Sequence, residues 1–223
     1  MNEEKTSYSQ REFAFVGFGC HVVGMTGINL PKKCGVMVLP DCTLFPHGGL
    51  PLYIFEQRYR LMLDKALEGD CVFAVARMSE PHSASVGTVG LVRASMERDD
   101  GTSELLLHGV IRVRFTEWLD DEAYPTALIE PLFGQPLDKI QNLAAMAALK
   151  GAVEDCLSGL PGEVWDGVSN LLNQADEAGL MADLVSQQLI QDPDKRQLLL
   201  ETVPVGERVA LLCGFLEKLK FGT

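Results

Sequence analysis

The sequence predicts an α+β protein, in which a small, bent antiparallel sheet or pseudo-barrel is followed by a C-terminal helical bundle. Three observations predict it. Apolar residues follow strand-like patterns from Cys71 to Leu132. After Gln135 the period lengthens to that of a helix. Ahead of the first helix, prolines at 40, 46 and 51 divide the chain into short strands and bends, because proline donates no ladder hydrogen bond and biases the preceding residue away from helix. The organisation that follows is an irregular N-terminal extension over 1–35, a β-rich subdomain over 36–134 and a helical subdomain over 135–223.

Residues 1–35 fit neither period. MNEEKTSYSQREF is acidic and polar, and the apolar FAFVGFGCHVVGMTG is broken by glycines and lacks a small-residue cleavage pattern, so no secretory signal is expected. GFGCHVVG has the wrong spacing for a dinucleotide loop. The segment reads as an extension, or as sequence upstream of a start at Met25 or Met37.

A β-branched run, Val36 to Leu39, opens the β-rich part, and two proline-interrupted apolar pieces follow at Leu44-Phe45-Pro46 and Leu50-Pro51-Leu52. A helix begins near Glu56, with Tyr59, Met62, Leu63, Ala66 and Leu67 on one face and Gly69 as its stop. Cys71 to Met78 and Val86 to Met96 read as strands, the second loosened by Gly87 and Gly90. Asp99-Asp100-Gly101-Thr102 signals a hairpin, and its return strand starts at Leu105. Beyond Gly109, Ile111, Val113 and Phe115 face a core while Arg112 and Arg114 face water. Thr126 to Leu132 is the last strand.

The helical part starts with Leu143, Met146, Leu149, Val153, Cys156 and Leu157 on one broad apolar face, closed by Ser158-Gly159 and Pro161. Trp165, Val168, Leu172 and Ala175 mark a second helix, and Leu180, Met181, Leu184, Val185 and Leu189 a third. Asp192-Pro193 supplies a cap and an N1 proline for a short fourth helix, Lys195 to Glu201. In the last, Val205, Val209, Leu212, Leu216 and Leu219 form a heptad-like seam, which two to three heptads suit better to an intramolecular face than to a coiled coil.

The net charge is −12, distributed as +1 over 1–35, −7 over 36–134 and −6 over 135–223. Neither main part has the basic surface that phosphate neutralisation needs, so nucleic acid is not an expected partner. No apolar run is long enough for a membrane helix. The six cysteines form no CxxC pair and the four histidines no ligand-like spacing, which points to reduced, mostly buried thiols, no metal or other cofactor, and a cytoplasmic protein.

The stretch from 39 to 63, LPxxxLFPxxxLPLxIFExRYRxML, resembles the opening of the Lon protease N-terminal domain, the substrate-recognition module of that ATP-dependent protease. SVGTVGLV at 85–92 followed by LLLHGVIRVRF at 105–115 is similar to the family's glycine-marked strand and "xLxGxxRxRI" strand. KRQLLLETVPVGERVALL in the last two helices is similar to its "KQxLLExxxxxERLxxL" ending. The resemblance runs from 36 to about 220, with 135–178 matching only in helical character. It implies a PUA-like fold for the β-rich part and a role in binding protein segments. The sequence contains no GxxxxGK[ST] loop to cradle ATP, no GxSxG elbow and no serine-lysine dyad context, so the reading is of a stand-alone, non-catalytic form lacking the ATPase and protease domains. Its expected partners are unfolded or client proteins and an ATP-dependent protease acting in trans. The sequence sets no oligomeric state, and a scaffold that oligomerises through the 205–219 seam is the alternative.

A module that selects unfolded chains needs exposed apolar and aromatic surface flanked by polar groups. Candidate contact residues are Phe45, Pro46, Leu50, Tyr53 and Tyr59, along with the proline-bent loop from His47 to Tyr53 that they bracket. Phe45, Phe55 and Tyr59 are expected to pack the sheet against the helix, leaving Leu50 and Tyr53 as surface. Glu56 and Arg58 read as a structural ion pair at a helix start, and His108 as a core or hairpin residue.

Overall fold

A computed structural model describes residues 30–79, 82–158 and 162–220; the expected extension up to residue 29 lies outside them. The first strand, β1 (Lys33–Leu39), starts three residues earlier than expected and places Lys33 to Gly35 in the sheet. After it come β2 (Gly49–Ile54), α1 (Gln57–Leu67), β3 (Val72–Ser79), the short β4 (His82–Ser83), β5 (Val86–Glu97), β6 (Ser103–Leu119) and β7 (Thr126–Pro131). Helices α2 (Lys139–Cys156), α3 (Gly162–Asn173), α4 (Ala178–Leu189), α5 (Pro193–Glu201) and α6 (Val205–Lys220) complete the chain. The mixed α+β class predicted from periodicity is the class observed.

The sheet runs β1-β7-β6-β5-β3, and β1 also pairs with β3, so the path closes into a barrel. That closing pair is parallel, Val36 to Leu39 against Ala74 to Arg77, whereas the sequence suggests antiparallel pairing throughout. The loop, β2 and α1 between these strands act as the crossover a parallel pair requires. Small residues such as Ala74, Ala76 and Ala127 line the narrow interior together with Val36, Val89, Val113 and Phe115. Gly87 and Gly90 lie inside a 12-residue strand and do not interrupt it.

Strand β6 is 17 residues long and outruns the barrel. Its first part, Ser103 to His108, is flanked by β2 on one side and by the end of β5 on the other, forming a three-stranded arm. The arm turns at Gly101, whose φ of 75° suits glycine, and Asp100 accepts from the Thr102 amide (3.0 Å) and hydroxyl (2.7 Å) to hold the turn. One face of the arm is covered by α1: Ile54, Val92, Leu105 and Leu107 pack with Tyr59, Met62 and Leu63. The Tyr59 hydroxyl donates to the Val38 carbonyl (3.0 Å) and accepts from the Val38 amide (3.2 Å), locking α1 to β1. The turn after α1 takes its left-handed residue at Cys71 (φ 58°), not at Gly69.

Both subdomains share a core. Phe45 and Val86 are buried with Leu149, Val153, Met181, Val185, Leu199, Leu212 and Leu216 of the helices. The α6 seam is consumed here: Val209, Leu212 and Leu216 are buried, which leaves only its end, Leu219, exposed and removes the basis for an oligomerising seam. Asp192 accepts from the Asp194 and Lys195 amides with Pro193 in the first turn of α5, as the sequence suggests. In α2 only Leu149 and Val153 are buried, so the expected apolar face holds for its second half and fails at Leu143.

Arg112, expected to face water, is buried. Its Nη1 and Nη2 donate to Asp183 of α4 at 2.7 and 2.5 Å, and its Nε donates to the Leu200 carbonyl at 3.0 Å. Arg208 of α6 stands 3.1 Å from the same carboxylate and donates to the Thr202 and Val203 carbonyls. Asp183→Asn leaves two guanidiniums facing each other without a counter-charge, and urea unfolding is expected to show a loss of about 3–5 kcal/mol, the cost of an uncompensated buried charge. A loss under about 1 kcal/mol would show the pairing to be incidental. A Cβ on Gly109 would lie 2.0 Å from the Phe45 carbonyl oxygen. Gly109→Ala is expected to cost about 1–3 kcal/mol or more in the same measurement, and an unchanged midpoint would contradict that close approach.

Candidate functional site

The segment expected to be a proline-bent loop, His47 to Tyr53, is mostly strand β2, an outer strand of the arm that pairs with β6 alone. Proline is tolerated in such a strand because no further ladder needs its N–H. Strand geometry then divides the candidates by parity. Leu50, Leu52 and Ile54 point to the α1 side, where Leu50 is partly buried in that core, so Leu50 is not the surface residue expected. Pro51 and Tyr53 point to the opposite, open side.

Phe45 and Pro46 are both buried and cannot act as contact residues. Arg196 of α5 stacks over the Phe45 ring at 5.5 Å and donates to the Thr43 carbonyl, while the Phe45 amide donates to Gln187 of α4, so this loop joins sheet to helices. Tyr59 is likewise core. Phe55, expected to pack, is 61% exposed. Glu56 caps α1 without a side-chain cap bond; its carboxylate instead accepts from Arg58 Nε at 2.9 Å, and Arg58 lies over the Tyr59 ring at 4.5 Å, which is the structural pair expected.

The open face of the arm is an apolar groove of ≈ 430 Å³, floored by Pro51, Tyr53, Ala94, Met96 and Leu106. Cross-strand register builds it in rows: Pro51, Leu106 and Ala94 form one, and Tyr53, Glu104 and Met96 the next. Tyr53, 51% exposed, stacks on Phe55 at 6.1 Å and 29°. Its hydroxyl donates to Thr102 at 3.2 Å, and Arg98, paired with Glu104, stands 5.6 Å above its ring. The aromatic pair is therefore ordered although it is exposed. At the barrel end lie His47, held at φ 63°, and His108, with ring centroids 6.5 Å apart. Burial pushes His108 below the ordinary imidazole value, with Arg93 and His47 adding to the effect.

Sequence reasoning missed Phe55, Leu106, Met96 and Pro51. The signal available was the alternation itself, Pro51-Tyr53-Phe55 against Leu50-Leu52-Ile54, which a loop reading does not use. Three further exposed apolar residues, also missed, are Phe133 (75% exposed), Ile140 (81% exposed) and Leu143, in the segment after β7 and the start of α2. None of the five described cysteines forms a disulfide, and only Cys34 among them is buried, its thiol pushed up to about 11 by burial. Among the described residues no cluster of three or more His, Cys, Asp or Glu could hold a metal ion, and no helix is long and apolar enough to cross a membrane.

Comparison with known proteins adds a fold and a family. The N-terminal domain of Lon protease from the Mycobacterium avium complex superposes with a TM-score of 0.71 at 18% identity, covering 83% of this chain and 98% of that one. A Lon N-terminal domain protein from Xanthomonas campestris gives 0.61 at 19% identity, with 83% and 99% covered. At these identities the likeness shows the fold. In sequence, the chain is 29% identical over 204 residues to Lon protease 2 of Herpetosiphon aurantiacus, covering 84% of this chain and 23% of that protein. The chain spans about a quarter of the length of such curated relatives. The family model for the ATP-dependent protease La (LON) substrate-binding domain matches residues 33–218, from the first residue of β1 almost to the end of α6, and the chain belongs to that family.

Proposed function

We propose that this protein binds unfolded or otherwise accessible protein segments on the open face of its arm, and holds them for an ATP-dependent protease acting in trans. The observation that carries this reading is the apolar face on which Tyr53, Phe55, Leu106 and Pro51 are exposed beside the partly buried Met96. Unfolded chains differ from folded ones in their accessible apolar side chains, and a preformed aromatic face meets them at low entropic cost. The family description, a substrate-binding domain, supports the same role. The sequence contains no nucleotide loop and no serine-lysine context, so the residues present can hold a client but have no means to unfold or cleave it by the family's mechanism.

Fluorescence anisotropy with a labelled protein kept unfolded by reduced, carbamidomethylated cysteines tests the reading. Tyr53→Ala and Leu106→Ser each remove apolar area from the face and are expected to weaken binding by about tenfold, in line with about 1–2 kcal/mol for a partly buried contact. Leu50→Ala, on the covered side, is expected to lower stability and leave affinity within about twofold once folding is complete. If Tyr53→Ala and Leu106→Ser both bind like the unaltered protein, the arm is not the binding surface. Phe133→Ser then tests the most exposed described aromatic residue outside the arm.

A further inference from the structure

The open face of the arm is apolar along its length but electrically unequal at its ends. At the hairpin end the carboxylate of Glu104 is already paired with Arg98. The barrel end carries His47, His108 and Arg93. Arg93 is the residue at which β5 slips in register against β6, between the Val92–Leu107 and Ala94–Leu106 pairs. A bulge leaves its extra residue unpaired and re-aims its side chain, and Arg93 is exposed. Its proximity to His108 shows in the way it disfavours the imidazolium there. Among the described residues Arg93 has no hydrogen-bond or ion-pair partner. In a chain of net charge −12, this guanidinium beside two imidazoles at one end of an apolar groove is a local positive charge that no described residue pairs with.

We propose that the groove selects extended apolar polypeptide segments that carry an acidic side chain, with the carboxylate seated against Arg93, His47 and His108. This rests on the reading that the arm binds accessible protein segments, and it specifies which segments. A guanidinium offers a carboxylate two parallel donors, and a neutral imidazole N–H adds another. The six residues of β2 span roughly 20 Å, enough for about six residues of extended client. At the far end Glu104 is already paired with Arg98, so the guanidinium of Arg93 at the barrel end sets which way the segment lies. Acidification should strengthen the preference. Arg93 from β5 and His47 from the preceding loop face His108, while Gly49, its neighbour on β2, presents no side chain. A bound carboxylate relieves the repulsion between Arg93 and a protonated His108, and the client's own Glu stays ionised above about pH 5.

The test uses three fluorescein-labelled peptides of alternating leucine and threonine, amidated at the C-terminus and differing at one terminal-turn position: Glu, Gln or Lys. Anisotropy titrations should show the Glu peptide binding about two- to fivefold more tightly than the Gln peptide at pH 7.5, the range for a partly exposed charge pair. The ratio should grow at pH 5.5 and fall with salt. It should disappear in Arg93→Gln and reverse in favour of Lys in Arg93→Glu, and because Arg93 is exposed both variants are expected to fold. Glu and Gln peptides binding equally would overturn the selectivity and leave the protein-binding reading standing. If no peptide binds, that reading falls and the selectivity with it. If a Gln peptide with a free C-terminal carboxylate matches the amidated Glu peptide, the groove recognises chain ends and the side-chain proposal is wrong.

Discussion

Asp183 sits between Arg112 and Arg208, and none of the three is more than 6% exposed. They come from β6, α4 and α6, so this one cluster ties the sheet to the helical half. Removing three charges from water costs several kcal/mol per ion, and one carboxylate cannot neutralise two guanidiniums. The balance comes from α5 and the residues just past it. The Leu200, Thr202 and Val203 carbonyls, at and beyond the negative end of that helix, accept from the two arginines and supply the missing negative potential. Arg208 Nε lies within ion-pair distance of Asp183 without a well-aligned hydrogen bond, making it the looser partner. Burial pulls the Arg208 pKa down to about 10, which still leaves it charged at neutral pH.

What such a cluster contributes is placement more than stability, because apolar residues could fill the same space at lower electrostatic cost. Sliding β6 by one residue would bring Ile111 or Val113 opposite Asp183 and turn Arg112 into the barrel. The register of the longest strand in the protein is thereby set from the helical side. The arm is the continuation of that strand, so fixing Arg112 also fixes where Leu106 and Glu104 lie and which side of β2 faces outward. Phe45 adds a second tie: it is buried among the helices and its carbonyl rests against Gly109, where no side chain would fit.

The elements that local chemistry determines were legible in the sequence. Alternation revealed Val113 and Phe115 as barrel interior, Asp99 to Thr102 as a hairpin, and Asp192-Pro193 as the start of α5. What was not legible depends on partners distant in the chain. Arg112 and Arg114 look identical to a period-two reading, yet one meets α4 and the other meets water. The parallel β1·β3 pair leaves no local mark, since its register is settled by the crossover between the strands. Leu143 looks like core because α2 is apolar nearly all round, and only the course of the neighbouring helices decides that its first turns stay uncovered. In the candidate stretch, reading β2 as a loop put Leu50 on the surface and Phe55 in the core, the reverse of what strand parity requires.

An exposed apolar face on an outer strand is ordinarily a hazard, because unpaired backbone and apolar side chains invite self-association. Here Pro51 removes one donor from β2, Arg98 and Glu104 occupy the hairpin end, and the net charge of −12 adds repulsion between copies. The same charge would also repel acidic clients, and the Arg93, His47 and His108 group is the feature that can offset it locally. A face drawn from short segments of three strands can read little beyond apolar content and extension. If the proposed face binds unfolded segments, discrimination among them rests on charges at its ends, where one cation left without a partner among the described residues has more influence than several already paired.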